Sequence, residues 1–105
     1  MTLIVPHRKT KQEAIAQIDR NARDLFMGIA GASVQIADLK KEWNGSTMSF
    51  SLVGRLGFIS VPLTGTIEVD DVNVTVRCDL PPMVRNFIGD DKVAAGIETQ
   101  LRRLL

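Results

Sequence analysis

His7 is the only imidazole and Cys78 the only thiol in this chain of 105 residues. Any chemistry that needs either group must therefore use these two. A thiolate–imidazole pair would require them to meet, because the histidine has to take the cysteine proton to leave a nucleophile. They stand at opposite ends of the sequence, and their surroundings argue against it. His7 follows a short apolar run and precedes a helix-start pattern, which suits a loop or capping role. Cys78 falls on an apolar row, where a cysteine packs as a small hydrophobe. One histidine and one cysteine also supply too few ligands for a closed zinc site.

The carboxylate pairs Asp70-Asp71 and Asp90-Asp91 are the next candidates. General acid–base catalysis needs two carboxyls converging on one pocket. These pairs sit at an expected turn and an expected helix start, where aspartate bonds to the local backbone. The segment Gly31-Ala32-Ser33-Val34-Gln35 lacks the second glycine of a nucleophile elbow. No glycine spacing matches a loop that cradles phosphate. The residues imply no catalytic site, no metal and no cofactor, and the chain reads as a non-enzyme.

Composition narrows the partners. Thirteen basic and twelve acidic residues give a net charge of +1, too little for a broad field that would attract nucleic acid or an anionic membrane. The basic knot His7-Arg8-Lys9-Thr10-Lys11 reads as a solvated loop ahead of a helix. A single cysteine allows no internal disulfide and requires no oxidising compartment. Residues 1–7 show no secretion-signal pattern. The uncharged stretches 25–37 and 56–67 fall short of the ~20 apolar residues of a spanning helix. The expectation is a cytoplasmic protein with no transmembrane segment, folded as a single α+β domain over residues 1–105.

The elements follow from the periodicity. Leu3, Ile4 and Val5 form a short strand closed by Pro6. Thr10 stands three residues before Glu13, a capping-box spacing. Behind it Ala14, Ile15, Ile18, Ala22, Leu25, Phe26 and Ile29 share one face of a helix that Gly28 or Gly31 would stop. The period then changes to two. A type I′ turn at Asn44-Gly45 places Trp43 opposite Ser46, Lys41 opposite Met48, Leu39 opposite Phe50 and Ala37 opposite Leu52. Val34 and Ile36 are in the other phase, so a bulge is expected near Ala37 or Asp38.

A turn at Arg55-Leu56 would pair Leu52 with Ile59, Phe50 with Val61 and Met48 with Leu63. A turn at Asp70-Asp71 would pair Val69 with Val72, Ile67 with Val74, Gly65 with Val76 and Leu63 with Cys78. Every turn assigns the same apolar row to one sheet face. Pro62 belongs at an edge or bulge, which leaves edge-to-edge homodimers open. After Pro81-Pro82 a second helical region carries Val84, Phe87 and Ile88, then Val93, Ile97, Leu101 and Leu104. It breaks at Gly89, with Asp90 or Asp91 as cap. The result is β-α-β-β-β-β-α, an antiparallel meander with two helices packed on one face. Five strands at ~4.8 Å make a sheet about 24 Å wide, nearly matched by two helices of ~10 Å each. The Met48-Phe50-Leu52 row needs no ligand to bury it.

Two apolar features remain for binding. Trp43 ends the hairpin's apolar row beside the turn, either as a core-edge residue or as an aromatic anchor. Leu80, Met83, Val84, Phe87 and Ile88 form a second concentration that becomes an exposed patch if the last helix leaves it uncovered.

The pattern Trp43-Asn44-Gly45-x-x-Met48-x-Phe50, then Gly65-x-Ile67-x-Val69, Val72-x-Val74-x-Val76 and Leu80-Pro81, with His7 and Glu13-Ala14 ahead of it, resembles the small polyhydroxyalkanoic acid system proteins of bacteria. The resemblance covers nearly the whole chain. It implies association with storage-polyester metabolism, with a location at the granule surface, and brings no catalytic residues. On that basis the expected function is a non-enzymatic accessory protein that binds a protein partner or the polyhydroxyalkanoate granule through Trp43 and the Leu80, Met83, Val84, Phe87 and Ile88 patch. The alternative is a small carrier of an acyl-type hydrophobic ligand held between the sheet and the C-terminal helix.

Overall fold

The computed structural model describes residues 1–27, 35–79, 81–82 and 89–105. In chain order they form β1 (Thr2–Pro6), α1 (Lys11–Arg20), α2 (Ala22–Met27), β2 (Gln35–Asn44), β3 (Thr47–Leu56), β4 (Ile59–Val69), β5 (Asn73–Asp79) and α3 (Asp90–Leu104). The five strands make one antiparallel sheet in the order β1-β5-β4-β3-β2. The α+β architecture is therefore as expected. The meander runs from β2 to β5, and the N-terminal strand then lies along the free side of β5.

α1 begins as its sequence predicts, with the Thr10 hydroxyl accepting the Glu13 amide at 3.2 Å. The single long first helix does not form. Asn21 divides it, its side-chain amide donating to the Gln17 carbonyl at 2.9 Å alongside its own backbone amide. A short polar side chain that bonds to nearby carbonyls offers the backbone an alternative to the helical ladder. The apolar phase survives the break, because Ala14 and Ile18 of α1 and Ala22, Leu25 and Phe26 of α2 are all buried. At the start of α3 the cap is Gly89, with no side-chain cap bond, so neither Asp90 nor Asp91 serves as expected. The helix stop at Gly28 or Gly31 and the helical stretch through Val84, Phe87 and Ile88 lie outside the described residues.

All three turns sit later in the chain than the sequence suggests. The β2–β3 loop is Gly45-Ser46, pairing Trp43 with Met48 and Lys41 with Phe50. Gly45 has φ +63°, while Ser46 keeps a negative φ. That combination matches a type II′ turn rather than type I′, which needs positive φ at both central positions. The β3–β4 loop repeats the device with Gly57 at φ +63° followed by Phe58. Arg55 and Leu56 carry Cβ atoms that oppose positive φ, so the turn moves to the glycine. Leu52 consequently pairs with Leu63, Phe50 with Gly65 and Met48 with Ile67.

In the β4–β5 connection, Asp70 Oδ1 accepts the Val72 amide at 2.8 Å and the Asn73 amide as well. Val69 then pairs with Val74, Ile67 with Val76 and Gly65 with Cys78. Each correction moves strand partners by two or four residues. An even shift keeps the Met48-Phe50-Leu52 row and its partners on β4 and β5 on the expected face. Ala37, expected opposite Leu52, instead pairs with Val53 on the outer face beyond the bulge, and Val72, expected opposite Val69, is exposed in the turn.

The bulge falls where it was expected, with the register shifting between Ala37 and Lys40 and Asp38 at φ +52°. Pro62 is not on an edge strand, since β4 has β3 and β5 on its two sides. Among the described residues the ladder to β5 starts at Thr64, and Pro62 pairs with Val53 of β3.

Met48, Phe50, Leu52, Val61, Leu63, Ile67, Val69, Val74, Val76 and Cys78 line the inner face. They form one cluster with Val5, the α1 and α2 residues, and Val93, Ile97 and Leu101 of α3. The Phe26 and Phe50 rings meet with centroids 4.4 Å apart. The helices of this same chain cover the Met48-Phe50-Leu52 row.

Candidate functional site

His7 and Cys78 do not come together. His7 closes β1 against the last turn, its amide donating to the Val72 carbonyl at 2.9 Å and its Nε2 lying 2.8 Å from the Asp70 carbonyl oxygen. A carbonyl only accepts, so Nε2 carries the proton. Cys78 is buried near the other end of β1, its amide donating to the Met1 carbonyl at 3.0 Å. Six residues of strand separate it from Val72, roughly 20 Å. His7 thus has the structural role read from its position.

Asp70 is committed to its turn. The Val72 and Asn73 amides, with smaller help from His7 and Lys11, hold its carboxyl below the ordinary 3.8. A carboxylate so stabilised makes a poor proton donor. Among the described residues no cluster of three or more His, Cys, Asp or Glu side chains could hold a metal ion. No helix among them is long and apolar enough to cross a membrane.

Trp43 is half-buried on the inner side of β2 and packs against the core. Its indole N–H donates to Asp19 Oδ1 of α1 at 2.9 Å. Lys41, which broke the apolar row in the sequence, enters the same corner with Nζ 2.8 Å from that carboxylate oxygen. The hydrogen bond from Lys41, then that from Trp43, lower the Asp19 pKa. Sequence reasoning missed this triangle because α1 and β2 are brought together only by the fold. Leu80, Met83, Val84, Phe87 and Ile88 lie outside the described residues. The strand that leads to them, β5, is three places from β2 in the sheet, so the two halves of the expected patch start from different strands.

The described residues add an apolar group that the sequence did not single out. Phe58, second residue of the β3–β4 turn, is 100% exposed. Arms of ten and eleven residues carry it beyond the described end of β5. The signal was present in Gly57-Phe58, once a glycine is required at the first turn position. Ile4 and Met27 are also more than half exposed, Ile4 on the outer side of β1 and Met27 at the end of α2.

The sheet face turned away from the helices carries two shallow, open clefts. One of about 520 Å³ lies among Asp38, Lys40, Ser51, Val53, Pro62 and Thr64. The other, about 330 Å³, lies among Lys40, Glu42, Ser49 and Ser51. Shallow and open, they suit water or a broad partner surface rather than an enclosed acyl chain.

Among the described residues the arrangement offers exposed apolar groups and open clefts. No curated protein and no solved structure matches the chain. A family model described as "Putative polyhydroxyalkanoic acid system protein" matches residues 1–105, the whole chain. By that match along its whole length, the protein belongs to the polyhydroxyalkanoic acid system family.

Proposed function

We propose that the protein is a non-enzymatic accessory component of the polyhydroxyalkanoate system that acts by binding the polyester granule surface or a protein stationed there. The family match along the whole chain carries this reading. The side chains agree with it. Of the titratable groups weighed for catalysis, His7 and Asp70 are engaged at the β4–β5 turn and Cys78 in the core, while apolar groups stand at the periphery. Phe58 at its hairpin tip is a ring with no protein around it, and such a group gains by leaving water for an apolar surface. Trp43 contributes ring surface at the rim of the sheet. The residues Leu80, Met83, Val84, Phe87 and Ile88 complete the proposed contact set.

Fluorescent tagging in polymer-accumulating cells, followed by granule sedimentation, tests the proposal. A granule-bound fraction that falls when Phe58 or Trp43 is replaced supports it. Diffuse fluorescence with nothing in the granule pellet overturns it. Native mass spectrometry addresses the carrier alternative, for which bound acyl species would be the evidence.

A further inference from the structure

The uncovered face of the sheet is complementary to itself. Its register places Lys40, Ser51, Thr64 and Asp79 in one row across β2, β3, β4 and β5. The neighbouring row reads Glu42, Ser49, Thr66 and Arg77. Charge therefore runs from positive to negative across the first row and from negative to positive across the second, with hydroxyls between. Lys40, Glu42, Arg77 and Asp79 are all exposed. The next row toward the β3–β4 turn contains Val53 and Pro62 side by side.

We infer that two copies of the chain pair through this face, about a two-fold axis parallel to the strands and above the seam between β3 and β4. Such an axis lays β2 of one copy over β5 of the other. Lys40 then faces the partner's Asp79, and Glu42 faces the partner's Arg77. Ser51 and Ser49 meet the partner's Thr64 and the partner's Thr66. Val53 lies over the partner's Pro62, apolar on apolar.

A two-fold axis across the strands also matches the charges, but it sets Val53 over the partner's Thr47 and Pro62 over the partner's Glu68. The axis along the strands therefore satisfies more of the face. An isologous contact needs this self-complementarity, since each patch meets its own copy. Arg77 reaches Glu68 at 3.4 Å within the chain, yet both are more than half exposed, so the guanidinium can turn to a facing carboxylate.

The size is sufficient. Four strands at ~4.8 Å by about nine residues at ~3.3 Å give on the order of 1,100 Å² over the two copies, just above the roughly 1,000 Å² of a specific interface. A contact so polar is wet and sensitive to salt. Stacked sheets cross at about 30°, which long Lys, Arg and Glu side chains accommodate at the edges.

Sedimentation velocity of the full chain across a concentration series tests the inference. The expected species has twice the 11.6 kDa chain mass and dissociates as salt is raised. Lys40→Glu sets like charges against the partner's Asp79 twice and is expected to weaken association about tenfold or more. The double variant Lys40→Glu with Asp79→Lys is expected to restore it to within about threefold of the parent. Ser51→Arg, in the centre of the seam, should abolish it, with circular dichroism confirming that each variant folds. A monomer at the highest concentration overturns the inference. So does a dimer that Lys40→Glu and Ser51→Arg leave unchanged, or a loss that the double variant fails to restore.

Discussion

The indole Nε1 of Trp43 donates to Asp19 Oδ1 at 2.9 Å, joining the rim of β2 to α1. Lys41 completes the corner by binding the same carboxylate. Asp19→Ala removes both partners at once. The expected loss of stability is about 1 kcal/mol, since one neutral and one screened ionic contact are involved. Asp19→Asn keeps an acceptor for Trp43 and should lose about half as much. Urea denaturation monitored by Trp43 fluorescence measures both.

Acid should weaken the fold through two carboxylates. Hydrogen bonds from Lys41 and Trp43 lower the Asp19 pKa below 3.8 in the folded protein, and the Val72 and Asn73 amides do the same for Asp70. A folded pKa below the unfolded one means that the unfolded chain binds protons first as pH falls. The stabilisation is therefore complete well above pH 3.8 and is lost as pH drops through 3.8 toward the lower folded values. Asp19→Asn combined with Asp70→Asn should flatten this part of the stability–pH curve. An unchanged slope would contradict the assignment.

Gly65→Ala should be among the most damaging small substitutions. A Cβ there would fall 2.7 Å from the Phe50 ring carbon Cζ and would overlap the Arg77 carbonyl oxygen, a backbone atom. Backbone on the neighbouring strand cannot move aside without breaking the ladder. The expected cost is roughly 3 kcal/mol or more, read from the shift in denaturant midpoint. Gly89→Ala, where a Cβ meets nothing within 4 Å, is the contrasting control and should cost no more than about 1 kcal/mol, the loss of a favourable helix-cap residue.

The Phe26–Phe50 contact links α2 to the middle of β3. Removing either ring should cost about 3–5 kcal/mol, a large share of the roughly 5–15 kcal/mol that holds a domain folded. Because the rings touch, the double replacement should cost less than the sum of the single ones. Thermal or denaturant unfolding of the three variants checks this.

Phe58→Ser should leave stability within about 0.5 kcal/mol of the parent, because the ring is fully exposed and its loss removes no packing. The same substitution should lower the granule-bound fraction of the tagged protein. Quantitative comparison of pellet and supernatant separates surface binding from any effect on folding.

Much of this architecture was legible before folding was considered, and the turns show why. Each of the three hairpin centres sits one or two residues beyond its expected place, yet the inner row of β3, β4 and β5 is on its expected face, and only Ala37 at the bulge and Val72 in the turn leave it. Moving a turn centre by one residue moves strand partners by two, and side chains alternate with a period of two. Hydrophobic alternation thus fixed the faces, while the exact partners depended on where positive φ was tolerated: Gly45 and Gly57 rather than Asn44 or Leu56. The bulge near Asp38 was equally legible, as a break in phase.

The sequence by itself determined the class of elements and the buried row, because each depends on neighbours within a few positions. Only the tertiary structure decided that Lys41 and Trp43 share Asp19, that β1 lies beside β5, and that Pro62 sits on an interior strand. It also decided that Lys40, Asp79, Glu42 and Arg77 form two opposed rows on one face. Those are relations between residues far apart in the chain, and they arise when the helices close over the apolar face and bring the strands into register.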